Sequence, residues 1–183
     1  MRSVAEVRQS QRVARQGRRA DAPAEDGGGI DVRELSDDEV ARVDAVLPLH
    51  RLDGAQTYLV AWIDGAPVGH AHVAWTKTKL GVPEIQDVFV RPEQRRRGVA
   101  SALNRAAERL AIARDYTRIS LGVGIDNVAA RQLYARLGYE DAGLPPERVR
   151  GTIVLRGRPV DLDDTLIYLV KPLGPESERP PEL

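Results

Sequence analysis

Apolar and polar residues alternate along residues 30–35, the two-residue period of a half-buried strand, and residues 57–63 and 68–76 are strand-like runs rich in apolar and β-branched or aromatic residues. Asp64-Gly65 joins the second and third of these with residues suited to a tight left-handed turn, so the pair is predicted to be a hairpin. Between the first two, Ser36-Asp37-Asp38-Glu39 has capping-box spacing and predicts a helix running to about Leu47, stopped by Pro48. Gly81-Val82-Pro83 interrupts the chain before a further sheet segment, Glu84–Val90. The period then changes. Val99, Ala102, Leu103, Ala106, Leu110 and Ala113 fall on one stripe at helical spacing, which predicts a helix over residues 98–113 behind a polar loop at 91–97. A strand at 118–123, a helix at 127–137 ended by Gly138, and strands from Tyr139, at 152–155 and at 166–170 complete the pattern. Antiparallel strands first, then strand–helix–strand–helix–strand, predict an α/β fold: a mixed central sheet with helices on both faces.

Composition sharpens this in two ways. Lys and Arg number 27 and Asp and Glu also 27, so no bulk charge favours nucleic acid or an anionic membrane as partner. Cysteine is absent, which excludes disulfides, thiolate metal sites and cysteine nucleophiles together. No stretch approaches the roughly 20 apolar residues of a membrane-spanning helix, and a cytoplasmic location is the default expectation. At 183 residues the chain suits one domain with a sizeable core. Residues 1–29 read as a flexible basic arm: up to Ala22, Arg2, Arg8, Arg12, Arg15, Arg18 and Arg19 face only Glu6 and Asp21, and large apolar residues are few. The folded domain is expected over 30–173, and 174–183 as a Pro/Glu-rich tail.

The chemistry concentrates in two stretches. In the first, an apolar strand ending Val88-Phe89-Val90 runs into Arg91-Pro92-Glu93-Gln94-Arg95-Arg96-Arg97 and then into the helix at Gly98-Val99-Ala100. A helix N-terminus leaves amides unpaired and carries partial positive charge. Small residues there let a ligand reach the backbone, and arginines add charge, so the stretch suits a pyrophosphate. It lacks the Lys-Ser/Thr ending of a P-loop and the three spaced glycines of a dinucleotide loop. The plain alternative is a solvated loop. In the second stretch, 126–139, Asn127 sits where a helix cap belongs, and Tyr134 among Ala130, Leu133 and Leu137 suits either core or catalysis.

Together the two stretches resemble the GNAT family of N-acetyltransferases. The family's acyl-CoA loop, Gln/Arg-x-x-Gly-x-Gly/Ala, is matched by Arg95, Gly98 and Ala100, after a strand and step matched by Val90-Arg91-Pro92. Its later Asn-x-x-Ala-x-x-x-Tyr helix, closed by Gly and an aromatic, is matched by Asn127, Ala130, Tyr134, Gly138 and Tyr139. The resemblance spans about residues 30–173. It implies a fold in which two parallel strands, here Glu84–Val90 and 118–123, splay around the pantetheine of acetyl-CoA. The backbone at Phe89 and Val90 would pair with that arm. Arg95, Arg96, Arg97, Gly98, Val99, Ala100 and Ser101 would hold the pyrophosphate, with Asn127 and Ala130 as further cofactor contacts. Tyr134 would be the general acid at the departing thiolate, with direct attack by an amine and no metal.

The base is less fixed. Glu84 opens the strand at a register where some family members carry a glutamate base, and it also suits a solvated strand end. His70 and His72 alternate on one strand and so share a face, with unperturbed pKa near 6.5 suited to a base. Asp87 is expected on the face opposite Glu84. For the acceptor, a small-molecule amine is favoured over a protein. Residues 47–56 and 144–164 would set it, with His50, Arg51, Asp53, Arg148 and Arg150 as candidate contacts. Residues 145–164 are expected to form a lid or a dimer contact, with the protein a monomer or homodimer. The competing readings are an inactive acyl-CoA-binding sensor or scaffold, which would need the loop but not Tyr134, and a nucleic-acid binder using the arginines.

Overall fold

The computed structural model describes residues 29–47, 49, 56–155 and 158–174. The basic arm (1–28), most of the C-terminal tail (175–183), Pro48, and the candidate contacts His50, Arg51 and Asp53 lie outside the described residues. The strands are β1 (Asp31–Glu34), β2 (Gln56–Ile63), β3 (Ala66–Ala74), β4 (Glu84–Val90), β5 (Arg118–Gly124), β6 (Glu140–Asp141), β7 (Glu147–Leu155) and β8 (Arg158–Pro172). The helices are α1 (Val40–Asp44), α2 (Val99–Ile112) and α3 (Val128–Arg136). One sheet runs β1-β2-β3-β4-β5-β8-β6, with β7 paired to β8. Every pairing is antiparallel except β4 with β5, which are joined across the sheet by α2. Asp64 and Gly65 turn β2 into β3 at φ 50° and 73°, the left-handed pair that such a hairpin requires.

The strands' alternation sorts the sheet into two faces. Ala61, Val73, Ile85, Ile119 and Leu121 point to the face carrying α2 and α3 and form the main core with Leu103, Ala107 and Ala111. The other face is covered over β2 by α1, where Val43 and Leu47 pack on Tyr58, Val60 and Trp62. The buried side of α2 is wider than the predicted stripe. It adds Asn104, Ala107, Glu108 and Ala111, while Ala113 is exposed. Glu108 is tolerated there because Lys171 Nζ lies 2.7 Å away, both side chains nearly buried. Leu103 is fully enclosed. Leu103→Ala is therefore expected to cost about 3 kcal/mol in stability, seen as a lower urea midpoint at unchanged slope.

Three local expectations are corrected. The capping box does not form: Glu39 is gripped by Arg33 of β1 through bonds of 2.6 and 2.7 Å, and Ser36 Oγ donates to the same carboxylate at 2.8 Å. This charge-assisted fork outcompetes a neutral amide for the carboxylate. The Arg33 hydrogen bond, helped by Ser36, holds the Glu39 carboxyl down to about 2. α1 consequently starts late, at Val40, and lasts five residues. The strands expected at 152–155 and 166–170 are longer than predicted: β7 and the first half of β8 form a long hairpin, in register from Glu147 opposite Leu166 to Leu155 opposite Arg158. Finally, β4 carries a bulge. Phe89 lies opposite His70 but Gln86 opposite His72, and Asp87 takes φ 48°. The extra residue reverses the alternation. Glu84, Gln86 and Phe89 thus share the α1 side of the sheet, while Ile85, Val88 and Val90 pack toward α2.

Candidate active site

β4 and β5 are in register only at Glu84 with Ser120 and Ile85 with Leu121. Beyond that point each follows its outer neighbour, β4 along β3 to Val90 and β5 along β8 to Gly124. The result is a wedge in the middle of the sheet, open toward Val90 and Gly124. Arg91 N–H donates to the Val68 carbonyl at 2.9 Å, and Val90 lies opposite Gly69. In an antiparallel ladder this turns the N–H and C=O of Val90 away from β3, toward the wedge. The Val90 carbonyl accepts from Arg95 Nε at 3.2 Å, which ties the following loop to the strand end. Gly69 is needed opposite it, since a β-carbon there would stand 2.7 Å from the Phe89 carbonyl oxygen.

The loop coils through a 3-10 turn at Pro92–Gln94 and left-handed residues at Arg96 (φ 61°) and Gly98 (φ 86°), the latter the N-cap of α2. Val99 is buried and anchors the helix start, while Ala100 and Ser101 are half-buried. Glycine has no side chain to cap with. Among the described residues, the amides of residues 96–101 have no hydrogen-bond partner. Nothing lies within 4 Å of where a Gly98 β-carbon would be. Six amides without a partner among the described residues, an open space beside them and the dipole of a 14-residue helix are a donor set suited to an anion at the mouth of the wedge. Arg95, Arg96 and Arg97 are exposed around it, Arg97 steadied by Gln94 Oε1 at 2.6 Å. This donor set fits a pyrophosphate.

On the far side, α3 begins just after β5 ends. Asn127 caps it, Oδ1 accepting from Ala130 N–H at 3.1 Å, so the cap role expected of this residue is made. Tyr134 is buried in the main core and meets Tyr139 edge-on at 5.8 Å. Its hydroxyl has no hydrogen-bond partner among the described residues, and burial raises its pKa above the ordinary 10.

The narrow end of the wedge, on the α1 side of the sheet, carries a polar cluster around Glu84, which is 7% exposed. Glu84 Oε2 accepts from the Lys79 amide at 3.2 Å, and Oε1 from Gln86 Nε2 at 2.6 Å. Gln86 Oε1 in turn faces His72 Nε2 at 2.9 Å. The bulge brings Asp87 to the same side, its carboxylate 3.5 Å from His72 Nδ1, so the expectation that Asp87 faces away from Glu84 is overturned. His70 stacks on Phe89 at 5.7 Å, within the packing under α1. Tyr168 of β8 donates to Glu147 at 3.1 Å, and Lys79 Nζ reaches the same carboxylate at 2.7 Å. Burial, then Glu147 and Glu84, push the Tyr168 hydroxyl up to about 12. Arg148 and Arg150 both pair with Asp163 on the exposed hairpin. Gln86, Tyr168 and Lys79 were missed from the sequence. Only Gln86 left a signal there, two residues from Glu84 on the same strand.

Three comparisons bear on this arrangement. The model of the acetyltransferase (GNAT) family matches residues 29–139. An uncharacterized N-acetyltransferase of Methanocaldococcus jannaschii is 35% identical over 88 residues, covering 46% of this chain and 39% of that protein's length. The ribosomal-protein-S18-alanine N-acetyltransferase of Escherichia coli superposes with a TM-score of 0.59 at 17% identity, over 84% of this chain and 98% of that one. An Elizabethkingia anophelis family member solved with acetyl-CoA bound gives 0.55 at 14% identity, over 79% and 99%. At such identities the structural likeness establishes the fold, and the family match covers more than half the sequence. The chain belongs to the GNAT acetyltransferase family.

Proposed function

We propose that the protein transfers an acetyl group from acetyl-CoA to a primary amine, a small molecule rather than a protein, by direct attack. The observation that carries this reading is the set of open amides at 96–101 standing at the mouth of the β4–β5 wedge. The pyrophosphate binds those amides with Arg95, Arg96 and Arg97 around it. The pantetheine arm enters the wedge along the backbone at Phe89 and Val90, and Asn127 and Ala130 line its far wall. Glu84 takes a proton from the amine, directly or through water, as the nitrogen attacks the thioester carbon. The carbon–sulfur bond breaks on collapse of the tetrahedral centre, and Tyr134 gives its proton to the sulfur. The nitrogen's remaining proton passes through solvent to the Tyr134 phenolate and Glu84 releases its own, so an ammonium and a thioester become an amide, a free thiol and one proton, with no metal or covalent enzyme intermediate needed.

Calorimetric titration with acetyl-CoA, followed by a thiol-release assay across an amine panel, tests the reading. Binding with release on one amine class supports it. Binding without release on any amine favours a sensor, and a folded sample that fails to bind overturns it. Glu84→Gln keeps the shape of the side chain but cannot accept a proton. It is expected to lower kcat/KM for the amine about 100-fold near neutral pH with little change in acetyl-CoA affinity. The deficit should shrink as pH rises past the amine's own pKa, because free amine attacks without first losing a proton to Glu84, and the proton shed after attack can pass to water. A deficit equal at every pH would remove Glu84 from proton transfer.

A further inference from the structure

His72, one of two buried histidines on β3, has a place beside Glu84 that neither the family motif nor a search for bases would assign. The bulge at Asp87 sets Gln86 directly opposite His72, between that ring and Glu84. The orientation of the Gln86 amide then follows from elementary donor and acceptor counting. An ionised carboxylate only accepts, so the amide nitrogen must face Glu84 Oε1, where it lies at 2.6 Å. That leaves the amide oxygen toward His72 Nε2 at 2.9 Å, and an amide oxygen only accepts. His72 must therefore carry a proton on Nε2. A charge on Glu84 fixes an amide, and the amide fixes a tautomer on the next strand.

His72 is fully enclosed, its ring 5.2 Å from that of Tyr58, with the Asp87 carboxylate beyond its other nitrogen. Packing thus locks the ring, the ring locks Gln86, and Gln86 locks Glu84. A flexible carboxylate at a strand end would otherwise sample several rotamers, few of them aimed at an amine beside the thioester.

We propose that Gln86 is the positioning residue of the base: held by His72 Nε2–H on one side, it holds Glu84 Oε1 on the other, and the three act as one hydrogen-bonded unit. This rests on Glu84 being the base. Gln86 transfers no proton itself. It aims the carboxylate and keeps one donor on it, leaving further lone pairs on both oxygens to receive the amine proton. Its loss should therefore act on turnover and not on acetyl-CoA binding.

Two measurements test this. Nitrogen-15 correlation spectra of the imidazoles, with the His72 signals identified by their loss in His72→Phe, read the tautomer in the unmodified protein. A proton on Nε2 is expected, and its signal should shift in Gln86→Leu. A proton on Nδ1 alone overturns the proposal, whatever the enzyme's activity. Acetyl transfer in Gln86→Leu should show kcat lower by about tenfold at unchanged acetyl-CoA affinity, and adding His72→Phe should cost little more. Undiminished kcat in Gln86→Leu, with Glu84→Gln still impaired, overturns the role of Gln86 and leaves the base in place. No impairment in Glu84→Gln overturns the base, and the positioning role with it.

Discussion

Gly98→Val is expected to weaken acetyl-CoA binding by about 100-fold or more while the protein remains folded. Two physical effects act at this position, and they are separable. The first is conformational. Gly98 sits at φ 86°, where a side chain costs roughly 1–2 kcal/mol and a β-branched one more. A domain with the usual 5–15 kcal/mol of stability survives that. The second is occlusion. A β-carbon at Gly98 would meet no described residue within 4 Å beyond its chain neighbours, so the valine side chain competes with whatever the open amides of 96–101 hold. Charge-assisted hydrogen bonds contribute about 1.5–3 kcal/mol each, so displacing a phosphate from two of them removes about 3 kcal/mol or more, which is 100-fold in affinity. Gly98→Ala carries most of the strain with less bulk and should fall between. Calorimetric titration alongside thermal unfolding separates the effects: a modest drop in Tm with a large loss of affinity supports the loop. A folded valine variant that binds normally would remove the pyrophosphate from this helix end.

Much of the frame was legible because the features that specify it are local. The Asp64-Gly65 turn, the Gly138 helix end, the limits of β4 and the start of α2 each follow from a few adjacent residues with fixed backbone preferences. The wedge was foreseen by resemblance, and its geometry now has a physical account in a two-residue ladder between strands drawn apart by their outer partners. What could not be read depended on contacts distant in sequence. Nothing in Ser36-Asp37-Asp38-Glu39 announces that Arg33 will take the glutamate. Nothing in Glu84–Val90 announces a bulge, because Asp87 carries no glycine signal for its positive φ. One extra residue moved Phe89 to the side of Glu84 and swung Asp87 toward His72, undoing a prediction based on strict alternation. The polar cluster at Glu84 draws on β3, β4, β7, β8 and a loop, so no single window of sequence contains it.

Tyr134→Phe should lower kcat about 100-fold at unchanged acetyl-CoA affinity. Burial acts on both proton partners. A phenol whose pKa lies above 10 stays protonated across the working pH range, so the donor is always loaded. Taken alone, that shift makes it a poor acid toward a thiolate whose conjugate thiol has a pKa near 8.5 in water. In the proposed mechanism, however, the departing sulfur leaves into the same apolar surroundings, where desolvation would raise the basicity of a thiolate as it does that of a phenolate. The two shifts oppose one another where the transfer would occur. The hydroxyl has no hydrogen-bond partner among the described residues, so it can turn to the sulfur without breaking a bond. Phenylalanine preserves the edge-on contact with Tyr139 and the core around it, and should leave stability almost unchanged. Burst kinetics should then show a slowed chemical step, with binding and product release intact. Wild-type turnover in a folded Tyr134→Phe protein would return the residue to the core it also belongs to, and would leave the thiolate to be protonated by water.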